Sequence, residues 1–201
     1  MAALILGLLV ASAKDSYDKE AGGVTQMAAK VIFLDRLLAN YGPETKDTRA
    51  LFRQAVERVH ARMWPDKNSE PAQLDPSASR GEAMYTAIQS LSPKNDLQTA
   101  FKAQALSTSL DLSQMRWLEF EQAGSAISTP MLSILIFWLA VLFASFGMFA
   151  PKNGTVVVAM MLAALSVAGA LLLILELGSP FHGLIQISDG PFLNAIAHLG
   201  Q

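Results

Sequence analysis

The chain has 201 residues, of which 52% are hydrophobic and only 16% are charged, and its formal net charge is −2. A slightly acidic chain lacks the basic surface that a nucleic-acid partner requires, so we expect no nucleic-acid binding. The absence of cysteine excludes disulfides, thiolate catalysis and cysteine-ligated metal sites.

The charges are concentrated in one part of the chain. Of the 15 Lys and Arg residues, 14 lie between Lys14 and Arg116, and the remaining one is Lys152. We therefore divide the sequence into a short N-terminal membrane helix (1–13), a charged soluble domain (14–128), two transmembrane helices (130–149 and 155–177) and a C-terminal tail (178–201).

The N-terminal apolar segment, residues 2–13, is short for a membrane helix. Twelve residues form a helix of about 18 Å, whereas the hydrocarbon core of a bilayer is about 30 Å thick. A signal peptide is disfavoured because no positive residue precedes the segment. Two interpretations stay open: a short anchor packed against the later membrane helices, or the second half of a spanning helix whose beginning lies outside this sequence.

The charged domain has the periodicity of amphipathic helices. Its first apolar face consists of Val24, Met27, Ala28, Val31, Leu34 and Leu38. Gly42 and Pro43 are typical of a helix end and of the first residue of the next helix. That second helix carries Leu51, Phe52, Ala55, Val56, Val59 and Met63, and it ends before Pro65.

A polar linker over residues 66–79 precedes two further helices. Ser79 and Glu82 have the spacing of a capping box, which predicts the start of a short helix. Ser92 and Pro93 predict the start of a long helix that reaches about Glu121, with an apolar face of Leu97, Phe101, Ala105, Thr108, Leu112, Met115 and Leu118. No strand-like alternation occurs. We therefore predict an all-α, multi-pass helical membrane protein with a helical soluble insert of three or four helices between its membrane segments.

Residues 130–149 and 155–175 contain no charged residue, and a short turn rich in Pro, Asn and Gly separates them. About 20 apolar residues in a helix span a bilayer, so this pattern predicts a transmembrane hairpin in contact with lipid. The alternative is a buried hairpin of a soluble core, but such helices usually carry polar residues at helical spacing. Small residues in both segments favour close helix packing and a homo-oligomer.

The positive-inside rule predicts the orientation of the chain. Lys14, Lys19 and Lys30 follow the first apolar segment and Arg116 precedes the hairpin, whereas only Lys152 lies in the hairpin turn. We therefore expect the charged domain and the tail in the cytoplasm and the turn outside. The tail itself is apolar but interrupted by glycine and proline, which favours an interfacial segment or a plug packed under the bundle.

Glu176 is the strongest candidate for a functional residue, because an ionisable group at the end of a membrane helix is a candidate ion or proton site. His182 follows six residues later and could form a pH-responsive pair with it. Glu176 could bind a cation, relay a proton or pair with a basic residue of the charged domain such as Lys14. The competing interpretation is that Glu176 only marks the helix end at the interface. His60 is expected on the polar face of its helix.

The sequence contains no motif of an enzyme: no Gly-rich phosphate loop, no nucleophile elbow and no His-Glu-x-x-His pair. The histidine spacing matches no compact metal motif. We therefore predict no catalytic residue, no metal ligand and no cofactor.

Seven segments together resemble one family: SAKDSYD (12–18), QMAA (26–29), LDRLL (34–38), YGPETK (41–46), RMWP (62–65), FASFG (143–147) and ELGSPFHGLI (176–185). In this order they are similar to the bacterial bestrophin-like membrane proteins, a family without an established activity. The resemblance covers essentially the whole chain. It implies a multi-pass inner-membrane protein with a helical domain between two pairs of membrane helices, and the family name suggests a relative of anion channels. Members usually have a further upstream hydrophobic segment, and the resemblance implies the expectation that residues 2–13 correspond to the second half of a helix that is full length in them.

Two hypotheses of function follow. The first is an oligomeric membrane protein that conducts or transports a small ion, with Glu176 at its pore or gate. The second is a membrane-anchored helical scaffold or sensor whose cytoplasmic domain binds other proteins.

Overall fold

A computed structural model of the chain describes residues 2–65, 80–123, 129–151, 153–181 and 183–201. Over these ranges all regular secondary structure is helical, which confirms the all-α prediction. The helices are α1 (Ala2–Tyr41), α2 (Lys46–Met63), α3 (Arg80–Gln89), α4 (Asp96–Ala123), α5 (Thr129–Phe149), α6 (Gly154–Leu177) and α7 (Gly190–His198). The predicted linker over 66–79, with the Ser79 end of the capping box, lies outside the described residues.

The helices form two compact units. The apolar unit comprises Met1–Lys19 and Ser125–Gln186, and the charged unit comprises Glu20–Gly124 and Ile187–Gln201. α1 runs through both, since its 40 residues continue without a break from the N-terminal apolar segment to Tyr41.

In the charged unit, the apolar face predicted for α1 is buried as expected: Val24, Met27, Ala28, Val31, Leu34 and Leu38 are each less than 5% exposed. Phe52, Val56 and Met63 of α2 are also buried, but Leu51 is exposed, contrary to the prediction. Leu51 precedes Phe52 by one residue, which rotates it by about 100° away from the buried stripe.

The predicted apolar face of α4 is correct only in its middle. Ala105, Thr108 and Leu112 are buried, whereas Leu97 and Leu118 are exposed. Leu118 follows Leu112 by six residues, so it points about 120° away from it around the helix. The apolar pattern of α4 therefore extends beyond the part of the helix that packs in the core, and it predicts more buried positions than the structure has.

Two helix starts differ from the prediction. Pro43 begins a single 3₁₀ turn, Pro43–Thr45, and α2 starts only at Lys46. The Thr45 hydroxyl donates to the carbonyl of Leu38 over 2.6 Å, which ties this turn back to the end of α1. α4 begins at Asp96 rather than near Pro93, because the side chain of Asn95 accepts a 2.8 Å hydrogen bond from the Gln98 amide and caps the helix.

The charged unit is held by a buried ion pair. Asp35 is 1% exposed, and both of its carboxylate oxygens accept hydrogen bonds from Arg49, at 2.8 and 2.7 Å. The Asp35 carboxylate also accepts a hydrogen bond from the Gly200 amide. Asp35 therefore connects α1 to α2 and to the residues that follow α7. α7 packs nearby, with Phe192, Ala195 and Leu199 buried at helical spacing.

In the apolar unit, α5 and α6 match the two predicted hydrophobic stretches in position and length. Both are long and apolar enough to cross a membrane. Most of their large side chains are exposed, and Phe149 is 84% exposed. Four large side chains of these helices are buried: Leu135 and Leu139 of α5, and Ile174 and Leu177 of α6, of which the last two pack with Ala13 of α1.

Candidate functional site

The candidate site is the end of α6 and the loop that follows it. α6 ends at Leu177, and the Gly178 amide donates to the Ile174 carbonyl to close its last turn. Pro180 and Phe181 are then buried, which anchors the loop on the apolar unit. Glu176 therefore sits in the last turn of α6, at the point where the chain leaves the apolar helix.

The Glu176 carboxylate is held by the backbone of the loop. Its Oε2 accepts a hydrogen bond of 2.7 Å from the Leu184 amide and a longer one of 3.4 Å from the Ile185 amide. Two consecutive backbone amides of the loop therefore converge on one oxygen of this carboxylate. Glu176 thus stabilises the loop that follows its own helix.

Gly183 makes this arrangement possible. Its φ is +101°, a left-handed conformation that favours glycine, and a Cβ at this position would collide with the Glu176 carboxylate. On the far side of the loop, the Tyr17 hydroxyl donates a 3.1 Å hydrogen bond to the Gln186 carbonyl. Glu176 and Tyr17 therefore fix the two ends of one loop.

Among the side chains that the structure describes, no Lys or Arg pairs with Glu176. The pairing with Lys14 that the sequence allowed does not form, because Lys14 binds Asp18 one turn further along α1 at 2.7 Å. Lys14 and Asp18 are four residues apart on one helix, so their side chains are neighbours on its surface. Since Leu184 and Ile185 both contact Oε2, the second oxygen of Glu176 accepts no hydrogen bond from a described residue.

The predicted partner, His182, lies outside the described residues, so the structure does not test the Glu176–His182 pair. His198 is exposed on α7, where its Nδ1 lies 2.8 Å from the Asn194 carbonyl. His60 has a larger structural role than the polar-face position predicted for it. Its Nε2 lies 3.2 Å from Asp189, and its ring stacks on Trp64 at 5.3 Å between centroids.

Sequence reasoning missed a second unusual carboxylate. Glu20 is only 6% exposed, and burial raises the pKa of its carboxyl group above the ordinary value of 4.5. The signal was present in the periodicity, because Glu20 precedes Val24 and Met27 by four and seven residues and so shares their buried face. A metal centre is not indicated: within the described ranges, no three His, Asp or Glu side chains are grouped to hold an ion.

Fold and site together define an all-helical protein with two helices of membrane-spanning length and a carboxylate at the end of the second. The family model described as "Bestrophin-like domain" matches residues 1–192, nearly the whole chain. The chain therefore belongs to the bestrophin-like domain family, as its sequence motifs indicated. Comparison with curated proteins and with solved structures gives no match.

Proposed function

We propose that the chain is a subunit of an oligomeric, multi-pass protein of a bacterial inner membrane that conducts or transports a small ion. In this proposal α5 and α6 cross the bilayer, and the charged unit and the C-terminal tail lie in the cytoplasm. Membership of the bestrophin-like family is consistent with a relation to ion channels.

The observation that carries the proposal is the exposure of α5 and α6. Side chains such as Phe137, Phe149 and Leu165 are at least 70% exposed along two helices whose one charged residue is Glu176, in the last turn of α6. Removing one exposed Leu or Phe from water is favourable by about 2 kcal/mol. Two helices that present so many of these side chains to their surroundings need lipid, other subunits or both to cover them.

Oligomerisation follows from the small contact between the two helices. Gly147 of α5 lies near Met160 of α6, where an added Cβ would meet the methionine methyl at 3.9 Å. Elsewhere both helices carry small residues such as Ala144 and Ala163 on exposed positions. Small residues allow close approach of a second helix in lipid, so we assign these faces to other copies of the chain.

Glu176 is the residue we place at the ion pathway, with His182 as its neighbour in the sequence. One carboxylate oxygen is held by the loop amides, and the other is available for a cation or a proton. The C-terminal end of α6 adds partial negative charge at the same position, which favours a cation further. The loop anchored by Glu176 would then respond to occupancy of the site.

Ion flux in liposomes tests this proposal. Glu176→Gln keeps an oxygen that accepts from the Leu184 amide but removes the charge, so we expect wild-type flux to fall at least fivefold while the protein stays folded. The control is Asp18→Asn, which also removes one carboxylate charge, from an exposed pair with Lys14. Absence of flux from folded wild-type oligomers would contradict the proposal, and equal flux from wild type and Glu176→Gln would remove Glu176 from the pathway.

The alternative function is a membrane-anchored scaffold or sensor. It is favoured by Leu97, Leu110 and Leu118, which are at least 50% exposed on α4 of the charged unit. Crosslinking in cells through residues beside Leu110 tests it. Capture of a defined partner that Leu110→Ser abolishes would support a scaffold, whereas crosslinks only between copies of the chain would contradict it.

A further inference from the structure

The charged unit contains a cavity between α1, α2, α3, α4 and α7 that is partly open to solvent. Its walls are mainly apolar and include Met27, Leu34, Phe52, Val56, Leu112 and Phe192. Among the described residues that line it, three are charged, namely Arg58 and Arg62 of α2 and Arg116 of α4. The described part of the lining contains no acidic side chain.

The contacts between the helices place the three arginines at the same end of the cavity. Lys30 of α1 pairs with Asp111 of α4, and the Tyr41 carbonyl accepts a hydrogen bond from Gln98. The two helices therefore run antiparallel. By this register Arg116 lies opposite the part of α1 that precedes Met27.

The same argument applies to α2. Asp35 pairs with Arg49, and the Leu38 carbonyl accepts from Thr45, so α2 also runs antiparallel to α1. Arg58 and Arg62, one turn apart near the end of α2, therefore lie at the level of Met27 as well. Leu34 and Phe52 lie toward the opposite end, so the cavity has a basic end and an apolar end.

The three guanidinium groups have no hydrogen bond or ion pair with any described residue, whereas the neighbouring Arg49 and Arg53 are both paired. Arg116 is partly buried, and burial together with the nearby positive charge of Arg62 lowers the pKa of Arg116. Like charges that are partly removed from water raise the free energy of the folded state unless an anion joins them. The basic end of the cavity therefore consists of the partly buried Arg116 and the exposed Arg58 and Arg62, with no anionic partner among the described residues.

We propose that this cavity binds a free medium-chain carboxylate, with its aliphatic chain between the apolar walls and its carboxylate at Arg62 and Arg116. Guanidinium groups bind carboxylates through two parallel hydrogen bonds, and a partly desolvated site strengthens them. The lining of α4 from Ser109 to Arg116 spans eight residues, a rise of about 10 Å along the helix, which suits an extended chain of eight carbons. This site does not depend on ion conduction by the membrane helices.

Calorimetric titration of octanoate into the full chain in phosphatidylcholine nanodiscs tests the proposal, with empty nanodiscs as the blank. We expect saturable binding of octanoate and much weaker binding of octanol and octylamine, which have the same chain but the wrong head group. The double variant Arg62→Gln, Arg116→Gln should weaken octanoate binding at least tenfold. Lys46→Gln removes a positive charge from an exposed position of the same α2 helix and should leave binding unchanged.

Arg58→Gln provides a second variant at an exposed rim position and should weaken binding by about threefold, even if the double variant does not fold. Binding of octanol equal to that of octanoate, octanoate binding unaffected by the arginine substitutions, or no octanoate binding would each overturn the proposal. Nanodiscs that also contain phosphatidic acid separate a lipid from a free ligand. Loss of octanoate binding there would assign the site to a membrane lipid and contradict a free carboxylate.

Discussion

Glu20 is a charged residue on the face of α1 whose other side chains are mainly apolar. It occupies the buried face of α1, one turn before Val24, and it is 6% exposed. Because burial raises the pKa of Glu20, the folded chain binds a proton there more tightly than the unfolded chain does. The folded state is therefore progressively penalised as the pH rises from the ordinary carboxyl range through the raised pKa.

The first prediction is that Glu20→Gln raises the melting temperature at pH 8 and has little effect near pH 4, where the carboxyl group is already protonated. Thermal unfolding followed by circular dichroism at both pH values measures this. Glu57→Gln is the control, since its carboxylate lies in an exposed pair with Arg53 and its removal should have a small effect. The same change in melting temperature for Glu20→Gln at both pH values would contradict a raised pKa.

Two glycines differ in what the fold requires of them. Gly183 has a positive φ and faces the Glu176 carboxylate, whereas Gly22 lies within α1 with no atom within 4 Å of an added Cβ. The second prediction is that Gly183→Ala lowers the melting temperature and Gly22→Ala raises it. The gain at Gly22 should be about 0.5–1 kcal/mol, because alanine costs less backbone entropy in a helix.

Scanning fluorimetry of the two variants and the wild type measures both changes in melting temperature in one experiment. A stabilising Gly183→Ala would mean that the loop does not close on Glu176 in solution. It would also remove the structural reason for placing a functional carboxylate there.

At the scale of the elements, α7 has the clearest structural role. The sequence predicted an interfacial segment or a plug for residues 178–201. In the structure Ile187–Gln201 packs within the charged unit. Trp64 at the end of α2 donates to the Ile187 carbonyl at 2.8 Å, and its ring lies 5.6 Å from that of Phe192. His60 and Asp189 add a polar contact beside it.

The third prediction is that Phe192→Ala destabilises the charged unit by about 3–5 kcal/mol, because a 1%-exposed aromatic side chain leaves a cavity when it is truncated. Leu193→Ala should cost little, since Leu193 is the next residue and is 48% exposed. Denaturant unfolding monitored by the fluorescence of Trp64 and the other tryptophans compares them. Equal stability of the two variants would show that α7 does not contribute to the core.

The elements differ in how far their sequence predicts them. The α1 face from Val24 to Leu38 and both apolar helices were predictable, because a long run of one periodicity has few competing structures. The helix starts at Lys46 and Asp96 were less so, since they depend on a 3₁₀ turn and on one Asn95 side chain. Local capping of this kind competes closely with alternatives a few residues away.

The candidate site was predictable only in part. The position of Glu176 follows from the end of a charge-free segment, but its hydrogen bonds to the Leu184 and Ile185 amides depend on the loop geometry at Gly183. Likewise Asp35 was identifiable as a charge on a helix, whereas its partner Arg49 is set by the packing of α2 on α1. Such contacts depend on the register in which two helices pack, and the sequence of one helix alone does not specify that register.

At the scale of the whole molecule, the chain joins a unit rich in charged residues to a unit that is mainly apolar, and the family match spans both. The proposed arrangement in the membrane follows from this division, with the positively charged flanks of the charged unit in the cytoplasm. Oligomers of the α5–α6 hairpin would then surround the pathway at Glu176.

The absence of cysteine makes the orientation of the chain directly measurable. Single cysteines at Asn153, in the hairpin turn, and at Gln104, exposed on α4, report the two sides without background labelling. Neither side chain makes a hydrogen bond to a described residue, so both substitutions should leave the fold intact.

Labelling of intact cells with a membrane-impermeant maleimide is the measurement that tests the arrangement most directly, and carbonate washing of the membranes accompanies it. We expect the chain to stay in the washed membranes, Asn153→Cys to react in intact cells, and Gln104→Cys to react only after permeabilisation. Release of the chain by carbonate, or equal labelling of both cysteines in intact cells, would contradict a hairpin that crosses the membrane with the charged unit inside.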